Sequence, residues 1–255
     1  MNTYITNYGN VTLYNNDDGI GYSFQRGIYW DEDTLIKLKQ YINPNRNILE
    51  IGGHCGTSSL VYSSFINNNS KIFVYEPQKY LYNLLFKNIN QNNLQDKIIP
   101  NNSGVFCYNG IGIMNDTTLD IEVANNGIVL NRYTTEQHLY CNFGGVSLGN
   151  GGEEINLTTI DDMNIEDIGY IHCDAQGSEN FIFSKGINTI KKCRPLILYE
   201  NKDFYGNHFY DNICKSYSEY KEESIFDIKT YCMDTLGYSK YIDKFNNGID
   251  TLLIP

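Results

Sequence analysis

The sequence predicts an α/β domain built on a mostly parallel sheet in three layers. Three observations carry that expectation. Short β-like apolar runs alternate with helical segments from residue 45 onward, a glycine-rich turn follows the first of these runs, and the chain closes on two short runs spaced as an antiparallel hairpin. The 255 residues suffice to bury a sizeable core, and with 19% charged and 14% aromatic residues the composition is that of a folded chain. No repeat and no linker interrupts it. One domain is the economical reading, with 1–44 as an N-terminal extension, 45–107 and 157–255 as the two halves of the alternation, and 108–156 as a polar insertion.

Each element has a local reason. Residues 47–51 (NILEI) read as a buried strand entering the glycine turn, and 57–66 (TSSLVYSSFI) as the helix after it. Residues 71–76 (KIFVYE) form the next strand. Pro77 suits the first turn of a helix reaching about Asn92, where Leu81, Leu84, Leu85, Lys87 and Ile89 leave a largely apolar face. Further strand material lies at 97–99 and 105–107. From 108 to 154 the chain is polar and glycine-rich, with short alternating pieces that suggest a β-rich excursion. Alternation resumes with a short helix near 159–165, a strand at 169–173, a helix from about Ser178 and a strand at 195–200. A tyrosine-rich segment at 203–220 precedes the terminal pieces GYSKYID and NNGIDTLLI. The five prolines lie beside such runs or at an end, as their fixed φ and missing N–H require.

A net charge of −11 with a pI near 4.7 argues against gripping nucleic acid, whose backbone is held by clustered Lys and Arg. No apolar run approaches the ~18 residues of a membrane span, and the opening MNTYITNYGN has no signal-peptide blocks. A soluble cytoplasmic protein is expected. Its seven cysteines are odd in number and form no Cys-x-x-Cys pair, which suits reduced thiols better than disulfides or a zinc site. The abundant asparagine reads as coding bias that creates chance Asn-x-Ser/Thr sequons.

The stretch that carries chemistry is Glu50-Ile51-Gly52-Gly53-His54-Cys55-Gly56. Glycines let a ligand lie against the turn, and the next helix offers N-terminal amides. It differs from the G-x-G-x-x-G dinucleotide fingerprint: Gly52 and Gly53 are adjacent, and the acid precedes them. A carboxylate there suits an amine or sulfonium better than a pyrophosphate, which favours S-adenosylmethionine over a nicotinamide cofactor. Glu76 ends the second strand, where a doubly wound fold places a carboxylate against ribose hydroxyls. Both acids have a plainer reading, as a packing turn and a solvated residue before a proline.

Three blocks resemble the FkbM-type S-adenosylmethionine-dependent methyltransferases: ILEIGGHCG at 48–56, FVYEPQKYLYNLLFKNINQN at 73–92, and LTTIDDM with IGYIHCDAQGSENFIFSKGINTIKKCRPLILYE within 157–200. The last is the most specific, a strand ending in Asp-x-x-Gly-x-Glu, a helix, and an Arg-Pro strand ending in Glu, here Asp174, Gly177, Glu179, Arg194, Pro195 and Glu200. The resemblance implies a class I methyltransferase, Rossmann-like, with a mostly parallel seven-stranded sheet, helices on both faces and a C-terminal antiparallel hairpin. It implies methyl transfer to oxygen, commonly on a sugar. It places Glu50, Gly52 and Gly56 in the methionine-side turn, Glu76 at the ribose, and Asp174 between cofactor and acceptor. Gly53, His54, Asn102 and Ser103 complete the candidate cofactor set. This chain departs from the pattern at His172, where the family usually has Lys, and at His54-Cys55, where Ala-Asn is common.

In-line methyl transfer asks chiefly for positioning, with a base to take the acceptor's proton. Asp174 is the first candidate, as base or as ligand to a divalent metal, which is possible but not indicated; it can equally cap the next helix. His172, two residues earlier on the strand, is the second candidate or a core histidine. Glu179 suits a first helical turn. Glu200, Tyr205 and His208 are candidate acceptor-pocket residues. The expected activity is O-methylation of a small hydroxylated acceptor, a sugar or nucleotide sugar, with no nucleic-acid or membrane partner. The alternatives are a protein or other macromolecular acceptor, or a non-catalytic binding module. Against nucleic-acid amines, the chain has no Asn/Asp-Pro-Pro-Tyr tetrapeptide.

Overall fold

The computed structural model describes residues 1–15, 17, 19–115, 142–201, 208–246 and 249–255. Its centre is a seven-stranded sheet formed by β3 (Asn47–Ile51), β4 (Ile72–Tyr75), β5 (Ile98–Asn101), β9 (Ile168–Cys173), β10 (Leu196–Glu200), β11 (Lys240–Ile242) and β12 (Asp250–Ile254). The order is β11-β12-β10-β9-β3-β4-β5, and β12 alone among them runs against its neighbours. This is the mostly parallel sheet with a terminal antiparallel pair that the sequence predicts.

Strand alternation separates two apolar layers. Ile48, Ile72, Val74, Tyr170, Leu198 and Leu252 face one side, against α2 (Glu32–Leu38), α3 (Thr57–Ser63) and α4 (Lys79–Gln91). Leu49, Ile51, Ile171, Cys173, Ile197 and Leu253 face the other, against α5 (Glu179–Ser184) and α6 (Ile187–Cys193). Helices therefore cover both faces, as a parallel sheet requires. The 108–154 excursion is β-rich where it is described: β6 (Gly104–Val105), β8 (Gly151–Thr158) and β7 (Gly110–Asn115) make a small separate sheet. It packs through Phe106, Leu157 and Phe181 onto α7 (His208–Ser216). The pieces TLDIEV and GIVL lie outside the described residues.

Boundaries differ in small ways. Helix α4 begins at Lys79 rather than Pro77, and the segment near 159–165 is a single 3-10 turn at Asp161–Met163. The N-terminal extension contains a hairpin, β1 (Asn2–Thr6) with β2 (Gly9–Leu13), and a short helix α1 (Ile20–Gln25). Six cysteines, all but Cys141, lie among the described residues, and these are free thiols. Among the described residues no helix is long and apolar enough to cross a membrane.

Asparagine turns out to be structural in places. Asn88, fully buried on the face of α4 where the sequence pattern placed Lys87, accepts the Thr12 N–H at 2.8 Å and donates to Thr12 O at 3.1 Å and Cys55 O at 2.8 Å. Asn92 similarly brackets the backbone of Asn10. These amides replace the missing neighbour of an edge strand. Asn88→Ala strands three buried backbone groups and is expected to cost on the order of 3 kcal/mol, or roughly 6–12 °C in Tm, readable by thermal melting.

Candidate active site

The strand order reverses between β3 and β9, and a crevice opens beyond the carboxyl ends of these strands. The turn after β3 is held there from both sides. The N–H groups of Gly52 and Gly53 both donate to Tyr75 O, at 3.0 and 3.1 Å, and Asp174 N–H donates to Ile51 O at 3.0 Å. Gly52 has φ +86°, and a Cβ on it would lie 1.8 Å from the backbone oxygen of Asp174. A Cβ on Gly53 would lie 2.1 Å from Val74 Cγ1. These glycines are thus required by the join of three strand ends.

A cleft of about 250 Å³ occupies this crevice. At one end stands Glu76, just beyond β4 and buried, whose two carboxylate oxygens accept the N–H of His54 at 2.8 Å and of Gln78 at 2.9 Å. Burial pushes its pKa up to about 7 from 4.5 although both amides oppose the shift. Each oxygen keeps a lone pair for a ligand hydroxyl. Beside it, burial drives the His54 imidazole down to about 4, so it is neutral, and both ring nitrogens are screened from solvent without a hydrogen-bond partner among the described residues. The ring lies against Gly144, whose segment is tied in by Gln78 Nε2 donating to Phe143 O at 3.1 Å.

At the other end stands Asp174, exposed beyond β9, with Oδ1 accepting from Gln176 Nε2 at 2.7 Å. The same amide reaches Glu200 Oε2 at 3.2 Å. Burial, then the charges of Asp174 and other acids, raises Glu200 well above the usual carboxylate range. Asp250 sits directly across from Glu200 in the β10–β12 pairing, and burial plus the Asp174 charge brings it to about 7. Asp31, at a left-handed position heading α2, is also raised by burial and by Asp174. Trp30 and Asn246 line the cleft too, and Asn246 Nδ2 donates to Asp31 Oδ2 at 3.4 Å.

Of the residues singled out from sequence, Gly52, Gly53, His54, Glu76, His172, Asp174 and Glu200 line the cleft. Others stand behind its wall. Glu50 shares the α3 face of β3 with Ile48, so its carboxylate turns inward to Ser59 Oγ and lies 3.8 Å from His172 Nδ1. Gly56, at φ +88°, heads α3 against Leu85. Asn102 Nδ2 donates to Glu76 O and Pro77 O, and Ser103 Oγ to Gly104 O and Asn156 O. His208 lies on α7 with Nε2 beside Asn212, outside the cleft lining, and Tyr205 falls outside the described residues. His172 Nδ1 meets Tyr62 Oη at 3.2 Å; burial opposes its charge, but Glu50 and its neighbours outweigh that and raise its pKa. Asp174 is not the cap of α5, whose N-cap is Ser178. Glu179 instead accepts Ala175 N–H at 2.9 Å and so holds the loop after Asp174, its own pKa lifted by burial to about 7.

The sequence reading missed Asp31, Gln176, Asn246 and Asp250. Only Gln176, inside the Asp-x-x-Gly-x-Glu motif, carried a local signal. Among the described residues no group of three or more His, Cys, Asp or Glu side chains is arranged to hold a metal ion.

A model of the methyltransferase FkbM domain matches residues 50–223, well over half of the chain. The chain belongs to the FkbM methyltransferase family. Among solved structures it is similar to a methyltransferase FkbM from Methylobacillus flagellatus KT, with 12% identity, a TM-score of 0.50, and coverage of 83% of this chain and 44% of that one. The FkbM-family chain thus spans under half of that protein's length. It is also similar to an O-methyltransferase from Bacillus cereus in complex with SAH, with 14% identity, a TM-score of 0.43, and coverage of 88% and 79%. No curated protein sequence matches it. At these identities the structural likeness concerns the fold.

Proposed function

We propose that this methyltransferase transfers a methyl group from S-adenosylmethionine to a hydroxyl of a small acceptor of the sugar class. The observation that carries the reading is one cleft at the strand-order reversal with Glu76 at one end and Asp174 at the other. The residues present fit the donor. Glu76 offers two oriented oxygens for a ribose diol, and among the described residues His54 offers unsatisfied ring nitrogens and no Lys or Arg lines the cleft to prefer a pyrophosphate. When bound, the donor supplies an activated methyl: the S–C bond breaks with its electron pair staying on sulfur as the acceptor O–C bond forms.

The protein's own part is placement and one proton. Gly52 and Gly53 let the donor approach the backbone, and Glu76 fixes its sugar. Asp174 takes the acceptor hydroxyl's proton at a carboxylate oxygen, with Gln176 Nε2 holding the other in place. Burial and the Asp174 charge raise the pKa of Glu200, which favours its protonated form, while Asp174 stands exposed at the cleft. His172, with Nδ1 turned to Tyr62 and Glu50, supports the wall.

Isothermal titration with S-adenosylmethionine and S-adenosylhomocysteine tests the reading. Both are expected to bind, and failure of both overturns it. Glu76→Gln removes one of two acceptors and the charge, and is expected to weaken S-adenosylhomocysteine about 100-fold, or about 2.7 kcal/mol. Unchanged affinity would remove Glu76 from the donor site.

A further inference from the structure

The loop that follows β9 is shaped around one amide. Cys173 pairs with Tyr199 in the parallel β9–β10 register, so Asp174 and Glu200 are the next residues along two neighbouring strands that end at the cleft. Gln176 Nε2 stands between their side chains, donating to Asp174 Oδ1 at 2.7 Å and to Glu200 Oε2 at 3.2 Å. Both partners accept, so the amide turns its NH2 end to them and both of its hydrogens are engaged.

The backbone bends to put it there. Gln176 has φ +49°, in the left-handed region where Asn, Asp and His are the enriched side chains and glycine sits without strain. Gly177 follows at φ +88°, and a Cβ on it would lie 2.7 Å from the backbone nitrogen of Tyr210 on α7. Two left-handed residues in succession turn the chain back, which returns the Gln176 side chain to the strand ends just left behind. Glu179 accepts the Ala175 N–H at 2.9 Å, so the turn is held from the α5 side as well. Strain kept at such a place needs a compensating contact, and the two bonds of the amide are what a glycine would forfeit.

We propose that Gln176 is a positioning residue for methyl transfer, clamping Asp174 to Glu200 so that Glu200 sets the pH range over which Asp174 works as a base. The assignment rests on the methyl-transfer reading above and names what controls its base. A neutral amide orients both carboxyls without adding charge, whereas a Lys or Arg in its place would hold both acids ionised and weaken Asp174 as a base. Two carboxyls on one amide hold one negative charge far more readily than two. Glu200 is the buried member, and burial, then the charges of Asp174, Glu179 and Asp250, push it upward. The proton stays on Glu200 and the charge on Asp174 until the pH rises through the Glu200 pKa. Above it both acids are charged and repel, and the clamp loosens. The other titratable groups facing the pair are His172 on β9, Glu179 on α5, Asp250 on β12 and Asp31 at the head of α2. Glu179 and Asp250 are themselves lifted to about 7, so the test must separate them from Glu200.

The test follows carboxyl titration by NMR in protein labelled with carbon-13 at the Asp and Glu carboxyls and saturated with S-adenosylhomocysteine. Tm is measured beside it, as is methyl transfer from labelled S-adenosylmethionine to glucose, rhamnose and xylose. Glu200 is expected to titrate above Asp174, and Glu200→Gln, which mimics the protonated acid, to move the Asp174 midpoint by less than about 0.3 pH unit. Gln176→Gly is expected to raise that midpoint by about half a unit or more, because the ionised form loses its donor, while Tm stays within about 2 °C because the strain leaves with the amide. Gln176→Asn, at home in the left-handed region but one methylene short, should match it. On a sugar that is turned over, both Gln176 variants should lower kcat about tenfold with S-adenosylhomocysteine affinity within roughly threefold. Wild-type kcat should fall on the alkaline side, and Glu200→Gln should abolish that fall while Asp250→Asn keeps it. Glu200 titrating below Asp174, an Asp174 midpoint indifferent to both Gln176 variants, an alkaline fall that follows Asp250, or a Tm loss above about 5 °C in both Gln176 variants would each overturn the proposal. No turnover of any sugar would strike the sugar-class reading, and failure of S-adenosylhomocysteine to bind the methyl-transfer reading; titration of the free protein then decides the clamp by itself.

Discussion

Asp174→Asn is expected to lower kcat about 10²–10³-fold while S-adenosylhomocysteine affinity stays within roughly threefold. The amide keeps the shape and the contact with Gln176 but takes no proton at neutral pH. The loss should therefore fall on the chemical step, and single-turnover rates at saturating substrates read it directly. His172 sits two residues earlier on the same strand and lines the same cleft, but its Nδ1 meets Tyr62 and Glu50. His172→Gln is expected to cost no more than about tenfold. A reversed order, with His172 decisive and Asp174 dispensable, would move the proton to the imidazole.

Gly52→Ala should be the most damaging of the small substitutions. A methyl there would need to sit 1.8 Å from the backbone oxygen of Asp174, and neither strand end can retreat without breaking bonds to Tyr75 or Ile51. A cost of about 4 kcal/mol or more is expected, lowering Tm by roughly 10 °C. Gly27→Ala is the fitting control. It has φ +73° but nothing within 4 Å of the added carbon, so it carries only the left-handed penalty of about 1 kcal/mol. Similar losses at the two sites would mean that backbone conformation, not the join of the strands, sets the requirement at Gly52.

The parallel sheet was legible because each strand is a short apolar run bounded by Gly, Pro or Asn, and the helices between them have one apolar face. The position of Asp174 followed from its place at a strand end. What local pattern could not show is which distant pieces meet. Asp250 becomes a neighbour of Glu200 only through the register of an antiparallel pair, and Asp31 joins them through bonds between Asn246 and residues over 200 positions earlier. Glu50 illustrates the opposite difficulty. Its position before the glycines suggested a ligand contact, but period-two alternation sends the side chain under α3 to Ser59. Asparagine, dismissed as compositional noise, proved decisive at Asn88, because a primary amide at a buried helix position can serve backbone donors and acceptors at once.

That amide also links two parts of the chain that look unrelated. Through Asn88, the hairpin strand at Thr12 and the glycine turn at Cys55 O share one side chain, so the turn is clamped from outside the sheet as well as from within. The N-terminal hairpin is therefore a brace for the glycine turn after β3. Shortening the chain there, or pulling on it with a fused partner, would change the resting position of the turn, and kinetics measured on such a form would describe a loosened enzyme.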